Sequence, residues 1–296
     1  MKISIIGIGR LGGALAIALA EKGFEIENLI ARKTESAKKI AEFIAPKPNI
    51  LKIGELSKIS SDMIFITTQD SEIAKVAINL AGNLKNKPFV FHTSGSLSSE
   101  KLAKLKEIGC SVASLHPLVS ISEASLGARR FAGAFFCIEG DEEAVRTAKE
   151  IVEKLGGKSF SIETKFKTLY HASAVTACGH LVALVDVALE MLKECELSEQ
   201  NAREILLPLI ESTVENLQTQ TTAQALTGTF ARADVETLRR QIAILSKNVS
   251  DEAFEVYLQL GQRSLHLAEL QQNGASGEKI EEMRKIISLA KNNFKC

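Results

Sequence analysis

Lys167 and His171 stand four residues apart in the second half of the chain. On a helix this spacing places both side chains on one face. Each cation disfavours the charged form of the other, which favours proton exchange with a substrate near neutral pH. We therefore predict that Lys167 or His171 exchanges the proton, with Lys167 as the better candidate and His171 able instead to orient the substrate. The alternative is a solvated pair at the start of a helix.

Two polar segments earlier in the chain could complete such a site. Residues 92–96 read His-Thr-Ser-Gly-Ser and follow an apolar run, and His116-Pro117 ends the next one. Open α/β sheets bind ligands at the carboxyl ends of their strands, so we expect these segments to meet at one edge. Ser94 and His116 are predicted to serve in catalysis. The same two residues, together with Gly95, are predicted to bind the substrate. Either histidine could instead simply cap a strand.

A glycine-rich turn follows the first strand-like run, residues 2–6. It reads G-x-G-x-x-G and opens a helix-like segment. In this setting the glycines permit a tight turn, close approach of a pyrophosphate and close helix–strand packing. The helix N-terminus adds amide donors for the phosphates. The alternative is a turn without a ligand. The predicted cofactor-binding residues here are Gly7, Gly9, Arg10, Leu11 and Gly12.

The end of the second strand-like run indicates which nicotinamide cofactor binds. The run continues into Arg32, Lys33 and Thr34, with no carboxylate at the turn. NAD sites place an acidic residue there, whereas basic residues bind the 2′-phosphate of NADP. The sequence therefore favours NADP, although a solvated turn would have the same composition. Further cofactor contacts are expected from the strand-end residues Thr68, Gln69 and His92.

Strands and helices alternate in the first half of the chain. Near-continuous apolar runs are typical of strands buried on both faces of a parallel sheet, and helix-like segments such as 11–22 and 35–44 separate them. This alternation predicts an α/β Rossmann domain with a doubly wound parallel sheet. The predicted strands are 2–6, 26–30, 63–67, 89–92, 111–115, 134–138 and 159–162.

The pattern changes to long amphipathic helices after residue 163. We predict an NADP-binding domain over 1–162 and an all-helical substrate and dimerisation domain over 163–296. Pro208 falls inside one helix and is expected to kink it, and residues 227–233 form the clearest break, with Asp234 as the cap of the next helix. A homodimer is expected because apolar side chains exceed what one thin layer can cover, among them Leu181, Leu184, Val185 and Leu189.

Composition narrows the functional classes. The 296 residues include 36 basic and 36 acidic side chains, so the net charge of zero disfavours nucleic-acid binding. No cleavable signal or bilayer-spanning segment is apparent, and we expect a cytoplasmic protein with a small-molecule substrate and no membrane partner. The cysteines are scattered without metal-ligand spacing, so no metal is expected. They are Cys110, Cys137, Cys178, Cys195 and Cys296.

The order of the motifs G-x-G-x-x-G, H-T-S-G-S, L-H-P-L and K-x-L-Y-H-A resembles a bacterial family. That family joins a Rossmann-like NADP domain to a helical C-terminal domain of unknown function, and the resemblance covers essentially the whole chain. Its T-G-P-x-x-R-G-D segment resembles residues 227–234 here, which implies substrate-binding roles for Thr227, Arg232 and Asp234.

This chain departs from the family pattern at three positions. Thr229 stands in place of proline, Ala233 in place of glycine, and Gly179 in place of a common asparagine. Any catalytic or amide-binding role of that asparagine is therefore lost here. These departures favour a second reading of the protein, as a catalytically idle NADP-binding sensor or scaffold.

A more distant similarity links the layout to 6-phosphogluconate and β-hydroxyacid dehydrogenases, pyrroline-5-carboxylate reductase and prephenate dehydrogenase. Several β-hydroxyacid dehydrogenases place a catalytic lysine four residues before an asparagine, a spacing that Lys167 and His171 match. The similarity implies an NADP-dependent oxidoreductase that transfers hydride to or from a small carbonyl, imine or hydroxyl substrate. Because His116-Pro117 resembles a segment of prephenate dehydrogenases, a decarboxylating dehydrogenase of that type is the alternative enzyme.

Overall fold

The computed structural model describes residues 1–271 and 276–294. The chain divides into two compact units, Met1–Cys178 and Gly179–Cys296. The first contains a sheet and the second is helical. The predicted boundary lay after residue 162, before the helix that holds Lys167 and His171, whereas the compact units divide within that helix.

An eight-stranded sheet organises the first unit, in the order β3-β2-β1-β4-β5-β6-β7-β8. All neighbouring pairs are parallel except β6 and β7, so the sheet is mostly parallel, as the doubly wound fold predicts. The strand β3 was not predicted, because its sequence Asn-Ile-Leu-Lys carries little apolar signal. The strands are β1 (Lys2–Ile6), β2 (Glu25–Ala31), β3 (Asn49–Lys52), β4 (Met63–Ile66), β5 (Phe89–His92), β6 (Val112–Pro117), β7 (Phe135–Gly140) and β8 (Lys158–Phe160).

Helices connect the strands of this unit. Gly9 occupies the N-cap position of the first, which begins one residue earlier than predicted. They are α1 (Arg10–Glu21), α2 (Thr34–Ala41), α3 (Asp70–Ala81), α4 (Ala103–Glu107), α5 (Ala124–Gly127), α6 (Glu142–Lys154) and the first turns of α7 (Lys167–Lys193). Short 3-10 helices cover Ile53–Lys58, Ser99–Leu102, Ala128–Phe131 and Thr164–Phe166.

The sheet is buried on both faces. Alternate residues of a strand point to opposite sides, and in β4 Met63 and Phe65 belong to one apolar cluster while Ile64 and Ile66 belong to another. Two separate cores on one sheet are the physical basis of the near-continuous apolar runs in the sequence. The doubly wound architecture is thereby confirmed.

The direction in which successive strands are added to the sheet reverses between β1 and β4, although these two strands are parallel. From β1 the order runs outward through β2 to β3, and from β4 it runs outward the other way. Ligands of open α/β sheets bind outside the carboxyl ends of the strands at this switch point. Gly7 follows β1 and Thr67 follows β4, so both lie at this position.

The second unit consists of helices throughout its described residues, as predicted. Its core is formed by α11, α12 and α13, with Leu238, Phe254 and Met283 almost wholly buried. The remaining helices are α8 (Glu199–Thr219), α9 (Thr222–Ala225), α10 (Gly228–Ala231), α11 (Val235–Asn248), α12 (Asp251–Glu269) and α13 (Gly277–Phe294).

The predicted break at 227–233 contains the short helix α10 rather than an open loop. Asp234 caps α11 as expected, accepting a hydrogen bond from the amide of Thr237 at 3.0 Å. Ala233 has a φ of 45°, in the left-handed region that favours glycine. This conformation gives a physical reason for the glycine that the T-G-P-x-x-R-G-D segment has at the position of Ala233. Pro208 lies within α8.

Two helices present apolar surface to solvent. Lys167 is the only buried residue among the described positions of α7, and Ala202 the only one of α8. One segment, Thr164–Lys193, is long and apolar enough to cross a membrane, and no residue of its apolar 18-residue window is buried. Length and composition alone are weak evidence for a membrane span, because core helices pass the same test.

Four cysteines are free thiols: Cys110 and Cys137 are buried, and Cys178 and Cys195 are exposed. Cys296 lies outside the described residues.

Candidate active site

The glycine turn has the geometry that a dinucleotide site requires. Gly7 has a φ of 100°, and a side chain there would lie 2.8 Å from the amide nitrogen of Thr68. A side chain at Gly12 would collide with the carbonyl oxygen of Gly7 and the hydroxyl of Thr67. The Thr67 hydroxyl donates to that same carbonyl at 2.6 Å and ties β4 to the turn. The backbone conformation therefore depends on both glycines.

The space beside the turn fits a bound dinucleotide. A Cβ atom at Gly9 would meet nothing within 4 Å, so the N-terminus of α1 is open on that side. The first amides of a helix have no partner inside it and are available to phosphate oxygens. The hydroxyl of Thr68 is buried and has no hydrogen-bond partner among the described residues. Buried polar atoms of this kind are exceptions that a ligand or water commonly satisfies.

The predicted phosphate-binding residues follow β2. Arg32 and Lys33 are exposed between β2 and α2, and Thr34 is the first residue of α2. Gln69 is also exposed, at the N-cap position of α3. Neither basic side chain forms an ion pair within the described part of the chain, so both are free to bind an anion.

A cleft of about 300 Å³ joins the glycine turn to the predicted catalytic segments. It contains residues from the start of α1, from the ends of β4, β5 and β6 and from the first turns of α7, and the three strand ends meet there as the strand-end argument predicted. Its lining residues are Arg10, Leu11, Thr67, Thr68, Asp70, Thr93, Ser94, Gly95, His116, Pro117, Val119, Ile121 and His171.

The segment after β5, residues 93–98, is named here the serine loop. The hydroxyl of Ser94 donates to the carboxylate of Asp70 at 2.8 Å and accepts from the amides of Ser96 and Leu97. The Ser96 hydroxyl donates to the same carboxylate oxygen at 2.7 Å. Ser94 lines the cleft, but its hydrogen-bonding capacity is used to shape the loop.

His92 lies beneath the serine loop and does not line the cleft. It is fully buried, its Nδ1 accepts from the amide of Ser94 at 3.2 Å, and its Nε2 lies 3.0 Å from the carbonyl oxygen of Ser98. Burial lowers the pKa of His92 to about 4. The neutral ring with its proton on Nε2 satisfies both contacts. The structure therefore places His92 as a support of the loop, away from the cleft in which a cofactor contact was expected.

Two histidines form the far wall of the cleft. The rings of His116 and His171 are perpendicular, with centroids 5.6 Å apart. His116 Nδ1 lies 2.8 Å from the hydroxyl of Tyr170, the residue before His171 on α7. His171 Nδ1 is buried without a hydrogen-bond partner among the described residues. An unpartnered imidazole nitrogen in a cleft is a candidate for proton exchange with a ligand.

Burial and neighbouring cations keep His116 neutral. They lower its pKa to about 4, with desolvation as the largest cause and His171 and Lys167 next. Burial also raises the pKa of Tyr170, so this phenol keeps its proton. A neutral imidazole beside a protonated phenol can hold one tautomer through the shared hydrogen bond. At pH 7 the histidine wall therefore presents hydrogen-bonding groups without a fixed charge on His116.

Gly95 allows the serine loop to lie against both histidines. A Cβ atom at this position would be 2.5 Å from His171 Nδ1 and 2.7 Å from His116 Nε2. Real Cβ atoms do not approach other atoms this closely, so any larger residue would displace a ring or the loop. This steric requirement would explain why a glycine is needed at position 95 if the residue forms part of the substrate site.

Lys167 is separate from the cleft. Its side chain is 1% exposed and is not among the lining residues. The ammonium group donates to the hydroxyl of Ser114 at 2.5 Å and to Glu139 at 3.3 Å. Of the two residues that were predicted to share one cleft, only His171 lines it. The side chain of Lys167 points toward the sheet, where the carboxylate of Glu139 compensates its charge.

The remaining predicted residues belong to the second unit. Thr227 and Arg232 flank α10, and the carboxylate of Asp234 is engaged in capping α11. Their roles in substrate binding stay predictions.

Several residues of the site were missed by sequence reasoning. Asp70 and Tyr170 stand inside or beside the motifs that were singled out, so their strand-end and helix-start positions could have been used. Glu139 and Ser114 had no such signal. Their contact with Lys167 depends on the antiparallel pairing of β6 and β7, which puts Ser114 opposite Glu139.

Comparisons with known proteins agree with this two-part architecture. Residues 1–117 match a Rossmann-like domain, and residues 134–264 match a domain of unknown function, DUF2520. The chain therefore combines a Rossmann-like domain with a DUF2520 domain. No curated protein matches it by sequence.

Solved structures share the fold over nearly their whole length. A candidate NADP oxidoreductase from Bacteroides fragilis has a TM-score of 0.74 at 22% identity, covering 89% of this chain and 97% of the other. A protein from Thermotoga maritima has a TM-score of 0.69 at 24% identity, and the match covers 90% of this chain and 98% of the other. A pyrroline-5-carboxylate reductase from Coxiella burnetii has a TM-score of 0.56 at 13% identity, and the match covers 98% of this chain and 97% of the other. At these identities the likeness establishes the fold.

Proposed function

We propose that the protein is an NADP-dependent oxidoreductase that transfers hydride to or from a small carbonyl, imine or hydroxyl substrate. The observation that carries the proposal is the continuous cleft from the glycine turn to the histidine wall of His116 and His171. Such a cleft lets one end of a dinucleotide be fixed while the other meets a substrate. The names of the similar Bacteroides and Coxiella proteins point in the same direction.

The glycine turn and the β2 end would hold the cofactor. Amides at the start of α1 would bind the pyrophosphate, and the free hydroxyl of Thr68 would gain a partner. Arg32 and Lys33 would bind the 2′-phosphate through charge-assisted hydrogen bonds. When bound, the nicotinamide donates or accepts the hydride.

The chain itself would manage the proton. Reduction of a carbonyl or imine carbon by hydride leaves a heteroatom that must take up one proton, and oxidation releases it. We assign this exchange to the imidazole of His171, which lines the cleft. His116, held by Tyr170, would orient the substrate heteroatom, and Ser94 and Gly95 would shape the pocket floor.

The proposal also includes assembly as a cytoplasmic homodimer. No described residue of α7 beyond Lys167 is buried, and its exposed apolar residues include Leu181, Val182 and Leu184. Asp186 and His180 lie within the same segment, and such residues are costly in hydrocarbon, which favours a protein partner over a bilayer. A second copy of the chain carries an identical face and can pair with it by two-fold symmetry.

Steady-state NADPH oxidation tests the function. The wild-type protein would be assayed against keto acids, aldehydes and cyclic imines, and NADP reduction against hydroxy acids and a cyclohexadienyl acid of the prephenate type. Turnover of a carbonyl or imine supports the proposal, and release of carbon dioxide would instead support the decarboxylating alternative. Tight NADPH binding without turnover of any substrate would contradict the enzyme and favour the sensor.

A further inference from the structure

Lys167 is a buried cation with a specific set of partners. Its ammonium group lies 2.5 Å from the hydroxyl of Ser114 and 3.3 Å from the carboxylate of Glu139, and its side chain is 1% exposed. A charge is stable at such a position only when it is paired and hydrogen-bonded. Both partners belong to neighbouring strands, since Ser114 lies opposite Glu139 in the β6–β7 pair.

One partner of the lysine contacts the serine loop, and the other contacts the residue that directly follows it. The Ser114 hydroxyl lies 3.4 Å from the carbonyl oxygen of Ser94 and donates to it. The two oxygens of Glu139 accept from the amide and the hydroxyl of Ser99, both at 2.8 Å. Lys167 is therefore linked through one intermediate residue to Ser94 within the loop and to Ser99 directly after it.

The contacts of the loop extend to the cleft. Ser94 and Ser96 hold Asp70 through their hydroxyls, and Gly95 fits against His116 and His171. A shift of the loop by even a few tenths of an ångström would change these contacts, because Gly95 leaves no space on the histidine side. The position of the loop thus determines the shape of the pocket.

We propose that Lys167 is a positioning residue, whose buried ion pair with Glu139 fixes the serine loop against the histidine wall. It does not exchange a proton with the substrate. The importance of the loop for turnover rests on the proposed function, whereas the fixing of the loop by Lys167 does not.

Hydrogen exchange of the free protein tests the loop contact directly. In Lys167→Met the amides of residues 94–99 should exchange at least about tenfold faster, since their supporting contacts are lost. Lys165→Met is the matched control, because Lys165 is exposed and pairs with exposed Glu163. Unchanged protection of residues 94–99 in Lys167→Met would overturn the proposal, and this result needs neither cofactor nor substrate.

A double substitution guards against misfolding. Lys167→Met leaves Glu139 as an unpaired buried carboxylate, so the single variant should be less stable than Lys167→Met/Glu139→Gln. If the single variant does not fold, the double variant is compared with the wild type by the same exchange measurement, and faster exchange of residues 94–99 is again the expected result because the ion pair is absent. Equal exchange in these two proteins would contradict the proposal.

Kinetics separate positioning from proton transfer. With any substrate that the wild type turns over, Lys167→Met should lower kcat/KM while the pH–rate profile keeps the same limbs, because the groups that titrate in catalysis remain. Loss of one limb in the variant would assign proton transfer to Lys167 and overturn the inference. If no substrate is turned over, the proposed function fails and the exchange experiment still decides the role of Lys167.

Discussion

The imidazole rings of His116 and His171 meet edge to face at 80°, with centroids 5.6 Å apart. One ring comes from the end of β6 and the other from the first turns of α7. Tyr170 fixes the first through Nδ1, whereas Nδ1 of the second has no partner among the described side chains and backbone groups. The two rings therefore differ in what they can offer a substrate.

Substitution of His171 should abolish proton exchange without disturbing the cofactor site. We expect His171→Ala to lower kcat by about a hundredfold or more, the usual effect of losing a general acid or base, with NADPH affinity unchanged. Thr168→Ala, on an exposed residue of the same helix, is the control. Turnover of His171→Ala at the wild-type rate would remove His171 from the mechanism.

A methyl group at position 95 should disrupt the histidine wall. Gly95→Ala places a carbon 2.5 Å from His171 Nδ1, so a ring or the loop must move. Overpacking of this kind costs about 1–3 kcal/mol of the free energy of unfolding. Urea denaturation would measure it, with Gly54→Ala as the control, since a Cβ at Gly54 meets nothing within 4 Å. A stability loss equal to that of the control would refute the tight contact.

Removal of the arginine after β2 should change cofactor preference. NADPH should bind the wild type at least about tenfold, or 1.4 kcal/mol, tighter than NADH. Arg32→Ala should weaken NADPH selectively, because NADH has no 2′-phosphate to lose a contact. Fluorescence titration of both cofactors measures this, with exposed Lys38→Ala on α2 as the control. Equal wild-type affinities for the two cofactors would refute the NADP assignment.

The buried His92 should make stability depend on pH. Its native pKa of about 4 lies below the ordinary value of 6.5, so between these values the unfolded chain binds a proton that the native state excludes. The free energy of unfolding should therefore fall as pH decreases from 6.5 to 4, by an amount on the order of 3 kcal/mol from this group. Urea denaturation at several pH values should give a smaller slope for His92→Gln. An identical slope in both proteins would contradict the buried neutral histidine.

The apolar face of α7 should hold two copies of the chain together. Light scattering at low micromolar concentration should give the mass of a dimer, with an interface above roughly 2,000 Å² in total. Val182, which is 70% exposed, offers a direct test. Val182→Glu should shift the mass toward the monomer, whereas Lys149→Glu, at an exposed residue of α6, should not. A monomeric wild type, or one that requires detergent to stay in solution, would contradict the homodimer.

Sequence reasoning succeeded where local pattern and architecture agree. The strands β1 and β5 occupy the predicted residues, because apolar runs between turn signals mark strands that are buried on both faces. The glycine turn and the strand-end segments around Ser94 and His116 meet in one cleft, as the switch-point rule requires. These features depend on short stretches of chain.

Features that depend on distant pairing could not be predicted. The motif around Lys167 predicted that this residue lies on a helix and shares a face with His171. The direction of its side chain depends on the contact with Glu139, which lies on an antiparallel strand. His92 similarly follows the motif pattern, yet its ring is directed inward by the amide of Ser94. In both cases a hydrogen-bonding partner from tertiary structure determined the role of a residue whose type alone allowed several.

The ion pair of Lys167 and Glu139 joins two positions that are 28 residues apart in the chain. Losing one member of a buried pair costs about 3–5 kcal/mol, a large part of a domain's total stability. A substitution at one of these positions is therefore tolerated only after, or together with, a substitution at the other. For the same reason, chimeric genes that join a relative's first segment to this chain should tolerate crossover points before β7 or after the start of α7 better than points between them.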